Sequence, residues 1–320
     1  MPSPIQKRLD DLTLLASSPP SPESLVKLRT FLRDRESFLV EKAIRLAEKW
    51  AAPELVPDLI STFNRLLTSK DSGAAAKTAI AEILCNWMSP QASALFETAT
   101  RHIQREPVWG GQVDVAGPLR GWGAFGLAAL GHHDQVRLIL PLLIDPQPEP
   151  RIYAARALSV GRSPAGEALL RLKVLQGDPE PDVFADILLS LATGWPETSL
   201  DFFLSLVEKN PAPAELLPAL LAAIAHCKTP RAVATLRDLY HNDLSPTSRR
   251  QTLDALALCR RSEAADFLLC LLTDSSPSQA LATLSALNHR RGDPTLWPKV
   301  VAAILIRNDP QLTHALHNPE

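Results

Sequence analysis

DPQPEPRIYAARALSVG occupies residues 145–161, and PAGEALLRLKVL follows it at 164–175. In the first segment proline stands at 146, 148 and 150, then gives way to a run from Arg151 to Gly161 dominated by Ala154, Ala155, Ala157 and Leu158. Proline is tolerated in the first turn of a helix, where its missing N–H has no intrahelical partner. Pro164 opens the second segment in the same way, so the two together predict helix, turn, helix. The next window agrees. Val183, Phe184, Ile187, Leu188, Leu191 and Ala192 recur at helical spacing, which makes a helix with a wide buried face.

Similar windows recur along the chain, and the loops that close each helix pair carry an acidic or amide residue. These markers are Asp145, Asp178, Asn210, Asn242, Asp274 and Asn308, separated by 33, 32, 32, 32 and 34 residues. Upstream, Asp34 and Asp71 lie 37 apart, and the 74 residues from Asp71 to Asp145 leave room for two longer units. A pair of helices cannot bury its apolar faces alone, so successive units must stack.

On these residues the chain resembles HEAT and HEAT-like repeat proteins. Asp145-Pro146, Arg151 at the sixth position after the Asp and the small-residue helix after it look like the family's unit, and Lys77 holds the same offset from Asp71. Phe184, Leu216, Ser248 and Ala280 occupy that offset elsewhere, so the Asp/Arg ladder is broken in the C-terminal half. The resemblance implies an all-α, right-handed α-solenoid of about eight to nine stacked antiparallel helix pairs. The expected division is an N-terminal helical cap over 1–35, the repeat solenoid over 36–309 and a tail over 310–320.

Composition narrows the function. The 33 Lys and Arg against 35 Asp and Glu give a net charge of -2, which disfavours a nucleic-acid partner, and 5% aromatics leave few platforms for stacking bases. The N-terminus has no apolar signal region, and the longest apolar run, Leu216 to Ala225, is broken by Pro218 and is about half of a membrane span of roughly 20 residues. A cytoplasmic protein is expected. Cys85, Cys227, Cys259 and Cys270 form no CxxC pair. Cys227 and Cys259 each fall 17 residues after a unit marker, on helices expected roughly 8–10 Å apart, and are therefore read as reduced structural thiols.

Four features of the sequence are candidate sites. Gly121-Trp122-Gly123-Ala124-Phe125-Gly126 matches GxGxxG, but its flanks read as one repeat helix, so close helix packing is expected and no cofactor. His132, His133 and Asp134, with His102 a repeat earlier, read as a solvated turn and no metal site. Lys228, Arg260, Arg261, His289, Arg290 and Arg291 follow the first helices of three units, and with Arg231 they predict a basic edge. Glu263, Asp266 and Asp293 stand close enough to neutralise part of it, and cations there also complement helix C-termini. Finally, residues 105–118 form a connection of about a dozen residues where the others have a handful, and such loops are often functional. It carries Trp109, Gly110, Gly111 and Asp114, with Arg120 and Trp122 at the start of the next helix. Either Trp109 is a binding anchor, or it folds back to plug a gap between irregular repeats.

No Walker A, HExxH or GxSxG motif occurs, so no catalytic residue is assigned. The expected function is a non-enzymatic scaffold that binds a partner protein on a curved helical surface through the 105–118 loop or Arg260, Arg261, Arg290 and Arg291. Two alternatives come from the resemblance. HEAT-like alkylpurine DNA glycosylases bind nucleic acid, and Trp109, Asp114 and Trp122 supply their side-chain types against the overall charge. Some HEAT-like proteins act as chaperone-like lyases that attach a chromophore, a role for which no residue here speaks.

Overall fold

The computed structural model describes residues 3–209, 216–242 and 245–317. The markers Asn210 and Pro211, the Asp243 of the next loop and the last three residues of the expected tail lie outside the described residues. The chain divides into two compact units, Met1–Leu169 and Leu170–Glu320.

The first unit runs α1 (Pro4–Ala16), α2 (Pro22–Leu32), α3 (Ser37–Lys49), α4 (Val56–Leu66), α5 (Ala75–Asn86) and α6 (Ser93–Ala99). Two strands, β1 (Arg105–Val108) and β2 (Gly111–Asp114), come next, then α7 (Gly117–Ala129), α8 (Gln135–Ile139) and α9 (Pro148–Gly161). Helix α10 (Pro164–Gln176) carries the chain across the division. The second unit continues with α11 (Pro181–Gly194), α12 (Pro196–Lys209), α13 (Leu217–His226), α14 (Pro230–Asn242) and α15 (Pro246–Leu258). It ends with α16 (Ser262–Asp274), α17 (Pro277–Leu287), α18 (Trp297–Arg307) and α19 (Pro310–His317). Among the described residues these make, in chain order, nine helix pairs and a last single helix, within the expected class.

Stacking follows the same rule inside each unit. Alternate helices pack on one another: α3 on α5, α5 on α7 and α7 on α9 in the first, and α11, α13, α15, α17 and α19 in succession in the second. Their facing sides are small or branched apolar residues. Ala76, Ala79 and Ile80 of α5 and Ala154, Ala155 and Ala157 of α9 are buried in the first unit, as are Ile187, Leu188 and Leu191 of α11 in the second. Among the described residues no helix is long and apolar enough to cross a membrane. Cys227 and Cys259 end up buried and unbridged, and burial pushes the Cys227 thiol up to about 12.

Candidate functional site

The connection expected to be a loop over 105–118 is instead a β-hairpin. Arg105 pairs with Asp114, Glu106 with Val113, Pro107 with Gln112 and Val108 with Gly111, which leaves Trp109 and Gly110 as the turn. Gly110 adopts φ +88°, a left-handed conformation that a side chain opposes, and this explains a glycine at that corner. A two-stranded hairpin is marginal by itself in water. This one is held at its base from outside. Glu106 Oε1 accepts from the Gly73 backbone at 2.8 Å and from Gln104 Nε2 at 2.7 Å, and Asp114 Oδ1 accepts from the Gln104 and Ala116 backbones at 3.0 Å.

The base is built on a repeated three-residue cluster. Asp71, Lys77 and Gln104 recur as Asp114, Arg120 and Gln147, with the cation six residues after the acid and the amide 33 after it. Gln104 Nε2 donates to the Asp71 carbonyl at 2.6 Å, and Gln147 Nε2 donates to the Asp114 carbonyl. Each glutamine oxygen in turn accepts from its cation, Lys77 in one copy and Arg120 in the other. The Asp71–Asp145 interval therefore divides at Asp114, and the hairpin is an insertion into the first of the two units. Arg120 joins copies: it contacts Asp114 at 2.6 Å and Asp145 at 2.8 Å, and donates to the His102 carbonyl at 3.0 Å. Burial pushes the Asp114 carboxyl up, but the backbone donors of Ala116 and Gln104 and the Arg120 guanidinium outweigh it and hold it below the usual range. Burial also lowers the Lys77 ammonium, against the pull of Asp71 and Glu106, and lowers His102, whose Nε2 has no hydrogen-bond partner among the described residues.

Two cavities share Ile103 and Arg105 as a common wall. The larger, about 850 Å³, is lined by both strands' residues Arg105 and Val113 and by Arg101, Ile144 and Gln147. The smaller, about 580 Å³, includes Lys70, Lys77 and His102. Ile103 and Ile144 leave 62% and 73% of their surface in water, so the larger cavity opens through an apolar rim. The side chains of the exposed Arg101 and Arg105 on that rim make no hydrogen bond or ion pair among the described residues, whereas Arg137 is paired with Asp134 at 2.5 Å.

The residues singled out in the sequence separate into distinct environments. Trp109 is fully exposed at the hairpin tip and fills no gap between repeats, so the plug reading is corrected. The reason is geometric: a two-residue turn holds Trp109 at the end of both strands, away from the base. Gly111 has open space around it. Arg120 is buried in the cluster described above. Trp122 packs at a tilt against Phe125 and against Tyr153 of α9 with ring centres 5.9 and 6.0 Å apart, and lines neither cavity. Gly121, Gly123 and Gly126 are packing contacts: a Cβ at Gly121 would enter the Tyr153 ring and one at Gly126 the Phe96 ring.

In the second unit the basic residues follow α13, α15 and α17, and their neutralising neighbours are in place. Arg261 pairs with Glu263 at 2.7 Å and donates to the Lys228 carbonyl at 3.2 Å. The Arg261 hydrogen bond holds Glu263 down to about 2. Arg290 pairs with Asp293 at 2.6 Å, and Arg291 lies 5.4 Å from the Trp297 ring centre. Arg260 is exposed and without a partner among the described residues. His132 contacts Glu97 at 3.3 Å, and among the described residues no three metal-ligating side chains converge.

Sequence reasoning missed the hairpin, the Asp114–Arg120 pair and both glutamines. The offset of six from Asp114 to Arg120, equal to that from Asp71 to Lys77, was the available signal.

No protein-family model matches the sequence, and no curated protein matches it. Among solved structures, the chain is similar to the complex of CpcE and CpcF of phycocyanin lyase from Nostoc sp. PCC7120, at 18% identity over 80% of this chain and 94% of that one, with a TM-score of 0.40. It is also similar to an engineered protein, at 19% identity over 92% of this chain and 86% of that one, with a TM-score of 0.36. At such identities and scores neither carries an argument about this chain.

Proposed function

We propose that the chain is a non-enzymatic interaction protein of the cytoplasm that captures a partner protein at the β1–β2 hairpin. The observation that carries this reading is Trp109, a large aromatic held wholly in water by a hairpin whose base is clamped by hydrogen bonds from Gly73, Gln104 and Ala116. An exposed Trp on a rigid mount is the residue type that dominates binding hot spots, because little ordering remains to be done when it docks. The strands below it line an open cavity whose rim combines Ile103 and Ile144 with the unpaired Arg101 and Arg105. That rim suits a segment with apolar anchors and acidic flanks. Arg120, Asp114 and Gln147 position the hairpin.

The test is a photo-crosslinking residue at position 109, used in lysate of the source cell, followed by mass spectrometry of the adduct and a binding titration with the purified partner. Trp109→Ala should leave the melting temperature unchanged and weaken that partner's binding by about tenfold or more, the loss of one hot-spot side chain. If no single protein crosslinks from the tip, or the identified partner binds Trp109→Ala as well as the natural chain, the reading fails.

A further inference from the structure

The hairpin has two edges, and the sequence blunts only one of them. The Val115 N–H donates to the Gln104 carbonyl at 2.8 Å, which makes residues 104 and 115 a hydrogen-bonded level of the antiparallel ladder. Bonded levels alternate with open ones, so Glu106–Val113 and Val108–Gly111 bond across the hairpin. Arg105–Asp114 and Pro107–Gln112 are the open levels, whose backbone groups point away from the opposite strand. On the outer side of β1 stands Pro107, which has no N–H to offer, and proline at such a position protects an edge from pairing. On the outer side of β2 stands Gln112, with both an N–H and a carbonyl. Gln112 is exposed, and these two groups take no hydrogen bond among the described residues.

The unprotected edge borders the larger cavity. Gln112, Val113 and Asp114 line it, and the Asp114 carbonyl already accepts from Gln147 Nε2, another lining residue, so the outer side of β2 is the cavity side. A volume of about 850 Å³ leaves room for a further strand, which lies about 4.8 Å from its neighbour. Charge selects the occupant. Both carboxylates of the cavity, Asp114 and Asp145, are held by Arg120, whereas the side chains of Arg101 and Arg105 have no partner among the described residues. The free charge on the wall is therefore positive, and the exposed Ile103 and Ile144 stand beside it. An added strand gains affinity from main-chain hydrogen bonds and selectivity from its alternate side chains. Here those side chains meet two guanidinium groups and two apolar ones.

We propose that the partner protein docks as an extended segment added along β2, its backbone pairing with Gln112 and its acidic side chains meeting Arg101 and Arg105. This rests on the reading of the hairpin as the capture site, and adds to it the conformation and charge of the captured segment.

A random-peptide display library selected on the full chain supplies the probe, which is the most enriched peptide, synthesised and titrated by fluorescence anisotropy. It should carry acidic residues among alternating apolar ones. N-methylation along its backbone should weaken binding by about tenfold at every second residue, since only alternate N–H groups face β2. Gln112→Pro removes the outward N–H and should weaken the peptide by about tenfold, whereas Gln112→Ala should bind it as the natural chain does. The methylation series uses the natural chain, so it decides the matter even where the proline variant loses its hairpin. Replacing Arg101 and Arg105 together by Ala should weaken the peptide by about tenfold at low salt. No enriched peptide, a methylation series without alternation, or full affinity in the double arginine variant would overturn the added strand. Equal affinity of Gln112→Pro and Gln112→Ala would do the same. Trp109→Ala separates this proposal from the reading beneath it. Unchanged affinity with an alternating series would remove Trp109 from the capture site and keep the strand, whereas a loss of about tenfold without alternation would keep the capture site and remove the strand.

Discussion

Replacing Arg120 with Met leaves Asp114 and Asp145 without the guanidinium that both of them grip. The two carboxylates are 19% and 9% exposed, and the Arg120 side chain is 5% exposed. Breaking a buried pair from one side strands its partners, so Arg120→Met should cost about 3–5 kcal/mol in urea denaturation at pH 7. The pH dependence has a definite sign. The folded Asp114 carboxyl lies below its ordinary value of 3.8. Its contribution is therefore complete above the unfolded value of about 3.9 and is lost as the pH falls through the lower, folded one. The stability gap between the natural chain and Arg120→Met should then narrow below about pH 4, where the stranded Asp114 carboxyl takes up a proton. A gap of constant size from pH 7 to pH 3 would show that the charge pairing is not what Arg120 contributes.

Helix α7 is an element shaped by what it must approach. Its glycines sit on two sides, Gly121 against Tyr153 of α9 and Gly126 against the ring of the fully buried Phe96 of α6. Gly123 lies so near the end of α6 that an added Cβ would stand 2.8 Å from the Thr100 backbone nitrogen. A helix pays an intrinsic penalty of roughly 1 kcal/mol for each glycine in its interior, and the close packing offsets it. Gly126→Val should therefore destabilise by about 1–3 kcal/mol or more through overpacking, read as a fall in thermal midpoint. Gly111→Ala in the hairpin is the control, because nothing lies within 4 Å of its Cβ. That change should stay within about 0.5 kcal/mol. Equal effects at the two positions would refute the packing role of α7.

At the scale of the whole molecule, stability resides in the faces that successive helices share. Leu191 is completely buried on α11, which packs on α13. Leu191→Asp should cost about 3–5 kcal/mol, and hydrogen exchange should show protection falling together in α11 and α13, since a stacked unit cannot bury its face without its neighbour. Loss confined to α11 would mean that the units fold independently. The helix pairs were legible beforehand because their causes are local. Proline opens α9, α10, α11 and α12, the spacing of Val183, Ile187, Leu188 and Leu191 sets a buried stripe, and markers such as Asp145, Asp178 and Asp274 close the units. The packing role of Gly121, Gly123 and Gly126 was legible for the same reason. The hairpin was not, because four-residue strands containing Pro107 are too short to show a pattern, and their stability comes from Gly73 and Gln147, each 33 residues from its partner. Likewise, only the tertiary structure decided that Trp109 stays in water and that one guanidinium serves Asp114 and Asp145. Backbone preference and hydrophobic spacing act within a few residues of sequence, whereas burial and the pairing of charges depend on which distant side chains the stacked helices bring together.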